Sequence, residues 1–212
     1  MTILHPHPDD DGRPVVIRKP STPTPLSSWE NPAQVATVVP AGLLPAALNG
    51  LRFASWHDAP DSAQGWSACA MEVPLDEPPF VLPAGMAAAA GAVILEDDGR
   101  VWLVAPSNGF GGYAATFPKG RVDAGTSLQC ASVREAFEES GLQVRIEAFL
   151  LDVRRTQTYT RYYLARRIGG SPACMGWESQ AVHLVPLARL EQVATHPNDA
   201  PVIAALRRRL GA

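Results

Sequence analysis

Little in this sequence would staple or anchor it. Its three cysteines, Cys69, Cys130 and Cys174, are far apart in the chain. No CxxC pair or His/Cys set at zinc spacing accompanies them, which excludes a disulfide framework or a structural zinc site and points to reduced thiols. Long apolar runs are also missing. The richest, MAAAAGAVIL at 86–95, is too short and too rich in Ala and Gly to span a bilayer. Nor does either charge dominate: 18 Lys and Arg against 21 Asp and Glu leave a net charge near −3. That balance argues against a nucleic-acid-coating surface, so an anionic partner must be met by a local site or a bridging cation. The opening MTILHPHPDDDGRP lacks a basic stretch followed by an apolar one and does not read as a secretion signal. A cytoplasmic protein without a membrane or nucleic-acid partner is therefore expected. No internal repeat is found.

What is present is an ordinary globular composition, 46% hydrophobic over 212 residues, enough for one domain with a sizeable extension. Residues 1–30 are polar and Pro-rich and read as a flexible arm. His5 and His7 beside Asp9, Asp10 and Asp11 are either a metal-binding set or part of a solvated arm. Residues 31–85 read as a folded N-terminal extension of unassigned role, with candidate strands at 34–39, 51–56 and 67–73. From residue 86 the pattern sharpens. AGAVILED and RVWLVAP flank an Asp-Gly turn, a hairpin signal. A Gly-rich loop follows at 106–125, then a helix, then strands at 143–153, 160–168 and 181–187. The closing helix, 199–210, has an acidic start, Pro201 in its first turn, Val202, Ile203, Leu206 and Leu210 on one side, and three arginines at its end. Strands mixed with two or three helices define an α/β (α+β) domain over 86–212.

The helix after the loop holds the chemistry. TSLQCASVREAFEESGL, residues 126–142, offers Ser127 as N-cap and Gly141 as the residue beyond the C-terminus. At about 100° per residue, Glu135, Glu138 and Glu139 share one arc, whereas Cys130, Val133, Ala136 and Phe137 face the other way. A solvated face would produce this pattern too. However, Glu135 and Glu139 are like charges at i,i+4, costing roughly 0.2–0.5 kcal/mol. Glu138 and Glu139 also crowd the negative end of the helix dipole, with only Arg134 to neutralise them locally. Such breaches of local rules are expected where function overrides stability, and hard divalent cations take carboxylate oxygens.

Loop and helix together, GRVDAGTSLQCASVREAFEESGL from Gly120 to Leu142, resemble the Nudix box, Gx5Ex7REUxEExGU with U aliphatic. Gly120 matches its first position. Arg134, Glu135, Ala136, Glu138, Glu139, Gly141 and Leu142 match its second half. The resemblance implies a Nudix-like α/β/α sandwich with a mixed sheet over 86–212. It also implies hydrolysis of a nucleoside diphosphate linked to a group X, with Mg²⁺ or Mn²⁺ as cofactor and a nucleotide-type small molecule as substrate. On this resemblance Glu135, Glu138 and Arg134 serve catalysis. Glu135, Glu138, Glu139 and the Gly120 carbonyl hold metal. Lys119 in FPKG, Tyr159 and Glu178 are candidates for substrate contact, and Trp177 is a lesser candidate for stacking. Tyr159 stands at the spacing where members acting on dinucleoside polyphosphates carry a tyrosine. The sequence departs from the box at one place: the sixth residue after Gly120, a glutamate in the family, is Thr126. In the family that glutamate supports the loop through the arginine matched by Arg134, and Asp123 is the nearby substitute. The alternative reading is a catalytically weakened Nudix-fold module that binds nucleotide or regulates. The apolar extension would cover the nucleotide end of the site or build a homodimer.

Overall fold

The computed structural model describes residues 2–68 and 74–211. In chain order its strands and helices are β1 Ile3–Leu4, β2 Val16–Ile17, α1 Ser27–Glu30, β3 Ala36–Val38, β4 Ala47–Leu48, β5 Leu51–Arg52 and α2 Ala63–Ala68. There follow β6 Ala87–Ile94, β7 Arg100–Pro106, β8 Lys119–Arg121, α3 Leu128–Ser140, β9 Leu142–Arg154, β10 Thr158–Gly170, β11 Ser179–Pro186, α4 Leu190–Val193 and α5 Ala200–Leu210. Among the described residues no helix is long and apolar enough to cross a membrane.

Two sheets carry the domain. A four-stranded mixed sheet runs in the order β8-β6-β10-β9, with β10 parallel to β6 and antiparallel to β9. A three-stranded antiparallel sheet runs β3-β11-β7. Side chains alternate between two cores, as strand geometry requires. Ala92, Ile94, Trp102, Val104, Tyr163, Ala165, Val182 and Leu184 face the core under α3. Val93, Leu95, Val101, Leu103, Tyr162, Leu164 and Val185 face the core under α4 and α5. This is the expected layered α/β architecture with a mixed sheet.

The Asp-Gly hairpin is corrected in one respect. The turn forms, with Gly99 at φ 81° and the Glu96 N–H donating to the Arg100 carbonyl at 2.9 Å. Its two arms are bridged only at Leu95 and Val101, then diverge into different sheets. Both strands are buried on both faces, so each takes its main pairing from a distant strand, β10 or β11. In α5, Val202, Ile203 and Leu206 are buried as expected, but Leu210 is exposed at the last position of the helix.

The extension shares the domain's core. Trp29 is buried with its ring centroid 5.9 Å from both Trp102 and Phe53. Trp56 packs edge-on against Phe137 of α3 at 5.1 Å and Trp66 at 5.7 Å. Of the candidate strand at 51–56, only Leu51–Arg52 pairs as a strand, and Ala54 adds a single bridge to Gly170. The candidate strand at 67–73 falls on the end of α2 and on residues 69–73, which lie outside the described residues. Residues 2–30, whose composition suggests a flexible arm, lie against the domain in this structure: β1 pairs with β2, Ile17 is buried, and the arm passes beside the glutamates of α3.

Candidate active site

The sequence fixes where α3 begins and ends. The Ser127 hydroxyl accepts from the Cys130 N–H at 3.2 Å. Gly141 adopts φ 69°, and its N–H donates to the Phe137 carbonyl at 2.7 Å. A side chain at Gly141 would strike the Ser171 carbonyl, so the left-handed turn and the close packing both require glycine.

These caps set the glutamates against β8. Cys130, Val133 and Ala136 are buried on the apolar side as expected, but Glu135 and Glu139 are buried as well, only 8% and 9% exposed. Glu138 is half exposed. Glu135 lies directly over Gly120, where a Cβ would overlap its carboxylate. Glu139 Oε2 accepts from the Lys119 N–H at 2.9 Å. Burial raises Glu135 to about 8, and the charges of Glu139 and Glu138 push in the same direction. Burial raises Glu139 to about 7, against the attraction of Lys119 and with Glu178 and Glu138 adding to the rise. Glu138 is raised by burial and by Glu178, Asp10 and Asp123, against the pull of Arg134.

Arg134 is a clamp between loop and helix. It pairs with Asp123, donates from Nη2 to Glu135 Oε1 at 3.0 Å and to the Arg121 carbonyl at 3.1 Å, and lies 3.6 Å from Glu138. Thr126 supplies only a turn, its N–H donating to the Asp123 carbonyl at 3.0 Å. The loop acid that pairs with Arg134 is therefore Asp123.

Glu178 comes to the same place from the other sheet. It shares a cleft of about 530 Å³ with His7, Asp10, Glu138, Glu139 and Trp177. Burial and Asp10 raise its pKa, and Lys119 opposes them. An adjoining cavity of about 410 Å³ is lined by Val15, Phe110, Tyr113, Lys119, Trp177 and Glu178, among others, and also reaches Glu139. Gly120, Lys119, Arg134, Glu135, Glu138, Glu139 and Glu178 are thus brought together. Tyr159 is not among them. Its ring packs against Phe80 at 5.4 Å, and it lines neither cavity. Tyr113 carries no motif in the sequence, and Asp10 stands out there only within the arm's candidate metal-binding set with His5, His7, Asp9 and Asp11. A single polar residue in a Pro-rich arm, or a tyrosine in a Gly-rich loop, carries no local signal of its destination.

The donor set suits a hard divalent cation: carboxylate oxygens and a backbone carbonyl, with crowded negative charge that a cation would relieve. In this conformation Glu135 turns to Arg134 and Glu139 to the Lys119 N–H. Among the described residues no three His, Cys, Asp or Glu side chains converge on one centre.

The loop, the capped acidic helix and the layered fold all agree with the wider comparison. The chain belongs to the Nudix family: the family model described as NUDIX domain matches residues 85–206. It is a pyrophosphohydrolase by class, and the family generally uses divalent metal ions. Solved structures similar to it include a NUDIX hydrolase from Nitrosomonas europaea, at 19% identity over 61% of this chain and 75% of that one, with a TM-score of 0.50. An Ap4A hydrolase from C. elegans is 21% identical over 59% of this chain and 98% of that one, with a TM-score of 0.48. An ADP-ribose pyrophosphatase from Streptococcus suis is 19% identical over 58% and 92%, with a TM-score of 0.47. The first of these bears on the fold. No curated protein matches the chain.

Proposed function

We propose that this protein hydrolyses the diphosphate linkage of a nucleoside diphosphate-X compound, with Mg²⁺ or Mn²⁺ held by Glu135, Glu138, Glu139 and the Gly120 carbonyl. The observation that carries this reading is the burial of Glu135 and Glu139 side by side on α3, their pKa values raised to about 8 and about 7. A cation at this position would neutralise diphosphate oxygens and lower the pKa of a water aimed at phosphorus. Lys119, on the strand that borders both acids, meets a phosphate as a point charge. Arg134 holds Glu135 and the loop in register through Asp123 and the Arg121 carbonyl. Glu178 faces the same cleft with its pKa raised, so it takes a proton from an incoming water more readily than an ordinary carboxylate would.

Thr126 motivates a second reading, a module that binds nucleotide without turning it over. The Asp123–Arg134 pair favours the enzyme, because it keeps the loop joined to the helix. The test is release of mononucleotide from diadenosine tetraphosphate, ADP-ribose and oxidised nucleoside triphosphates in Mg²⁺. Glu135→Gln and Glu139→Gln are each expected to lower turnover by about 10²-fold or more, the scale of losing one group that acts on transition-state charge. Intact turnover in both variants would sink the metal-helix reading. Nucleotide binding without cleavage by the native protein would favour the module.

A further inference from the structure

Residues 85–206 match the family, yet the arm outside that span borders both openings beside the glutamates, Val15 lining the cavity and His7 and Asp10 the adjoining cleft. The N-terminal arm is held there by two carboxamides of the domain. Asn108 Oδ1 accepts from the Arg18 N–H at 2.6 Å, and its Nδ2 donates to the Val16 carbonyl at 2.9 Å. Gln180 Oε1 accepts from the Asn108 N–H at 2.7 Å, while its Nε2 donates to the Lys19 carbonyl at 2.6 Å and to Ser21 Oγ at 3.0 Å. A third tie runs from the Trp177 indole N–H to Asp10 Oδ1 at 3.0 Å. Asn108 adopts φ 57°, a left-handed conformation that asparagine tolerates better than most residues. Both hydrogen-bonding edges of its amide thus meet the arm's backbone.

The arm ends up as a wall. Val15 faces a cavity of about 410 Å³ whose polar lining includes Lys119, Glu139 and Glu178, and whose remaining lining includes Phe110, Tyr113 and Trp177. That volume is within the range of small-molecule sites. Phe110, a large aromatic, is 81% exposed on a Gly-rich turn and lies at the mouth of the cavity. Tyr113 is fixed: its hydroxyl accepts from Arg155 Nη2 at 2.8 Å and from Asn198 Nδ2 at 2.9 Å, and its ring stacks on His196 at 4.0 Å. Aromatic walls next to a phosphate-handling site suit a planar, weakly polar group attached to a diphosphate, and a nucleobase is such a group.

We propose that residues 5–21 form a fixed wall of the substrate pocket, and that the cavity they close seats the nucleobase of a nucleoside diphosphate between Val15, Phe110 and Trp177. This inference rests on the diphosphate-hydrolase reading above and adds where selectivity for the nucleoside arises.

The test compares the affinity of the full-length protein, by calorimetry in Mg²⁺, for the α,β-methylene diphosphates of adenosine and uridine and for methylenediphosphonate, which has no base. At least one nucleoside compound is expected to bind about tenfold or more tightly than methylenediphosphonate, the scale of one good stacking contact. Asn108→Gly keeps the positive φ and removes both amide ties, and Trp177→Leu removes the stacking face and the tie to Asp10. Each is expected to reduce the preference for the nucleoside compound over methylenediphosphonate about fivefold or more. If one variant does not fold, the other carries the comparison. A preference that survives in the folded variants overturns the wall, as does native protein that binds methylenediphosphonate and the nucleoside compounds equally. Native protein that binds none of the three overturns the diphosphate reading itself, which is a different result.

Discussion

Among the described residues two places bury glutamate to nearly the same depth, and they treat it in opposite ways. Glu96 is 6% exposed, against 8% and 9% for Glu135 and Glu139. Both oxygens of Glu96 are satisfied: Oε1 accepts from Arg167 Nε at 2.5 Å and from Trp102 Nε1 at 2.8 Å, and Oε2 from Asn49 Nδ2 at 3.0 Å and Arg167 Nη2 at 3.4 Å. A full guanidinium charge is dedicated to it. Glu135 has a share of Arg134, which also serves Asp123 and Glu138. Glu139 has a backbone N–H and the more distant charge of Lys119. Burial is therefore not what distinguishes the candidate active site. Incomplete neutralisation is, and it occurs where the proposed chemistry calls for a cation to complete the charge balance.

The same substitution should accordingly have opposite effects at the two places. Glu96→Gln leaves the buried Arg167 guanidinium without its counter-charge and is expected to lower unfolding stability by about 3–5 kcal/mol, read by urea denaturation. Glu139→Gln keeps an acceptor for the Lys119 N–H and removes a repelled charge, so its unfolding stability should stay within about 1 kcal/mol of the native value or rise. Equal losses at both positions would erase the distinction. A smaller effect concerns the loop. Asp123→Ala removes one partner of Arg134 at a largely exposed position, so a stability loss of about 0.5–1 kcal/mol is expected, with turnover reduced several-fold. Adding Thr126→Glu in that background should restore turnover. Failure to restore it would show that Asp123 does not act in place of the family's glutamate.

Much of the site was legible because its signals are local. Ser127, Gly141 and the arc of Glu135, Glu138 and Glu139 are fixed by helix geometry within one segment, and the distance back to Gly120 identifies the box. The deep burial of Glu135 and Glu139 was not legible, because β8 and the loop close over that face from elsewhere in the chain. The split of β6 and β7 between two sheets was hidden for a similar reason. An Asp-Gly turn announces the bend, but two strands apolar on both faces take their main partners from more than seventy residues away, β6 from β10 and β7 from β11. The course of the arm was not legible in its composition. Its proline and aspartate resist regular structure, yet Asn108 and Gln180 hold its backbone through side-chain amides that no periodicity reveals. Tyr159 shows the limit of spacing, since several tyrosines share its strand and this one packs on Phe80.

The central claim is that Glu135 and Glu139 are held under-neutralised for a divalent cation, and the most direct measurement is melting temperature against pH with and without Mg²⁺. Their folded pKa values, about 8 and about 7, lie above the ordinary carboxylate value of 4.5. These two groups bind more protons in the folded state than in the unfolded one between those limits, so the stability they contribute is fullest below about pH 4.5 and is lost as pH rises towards 8. Metal-free protein should therefore melt at a lower temperature at pH 8 than at pH 6. Mg²⁺ should raise the melting temperature more at pH 8, where binding displaces fewer protons. A metal-free melting temperature that does not fall over that interval, together with no response to Mg²⁺ or Mn²⁺ at either pH, would contradict the account.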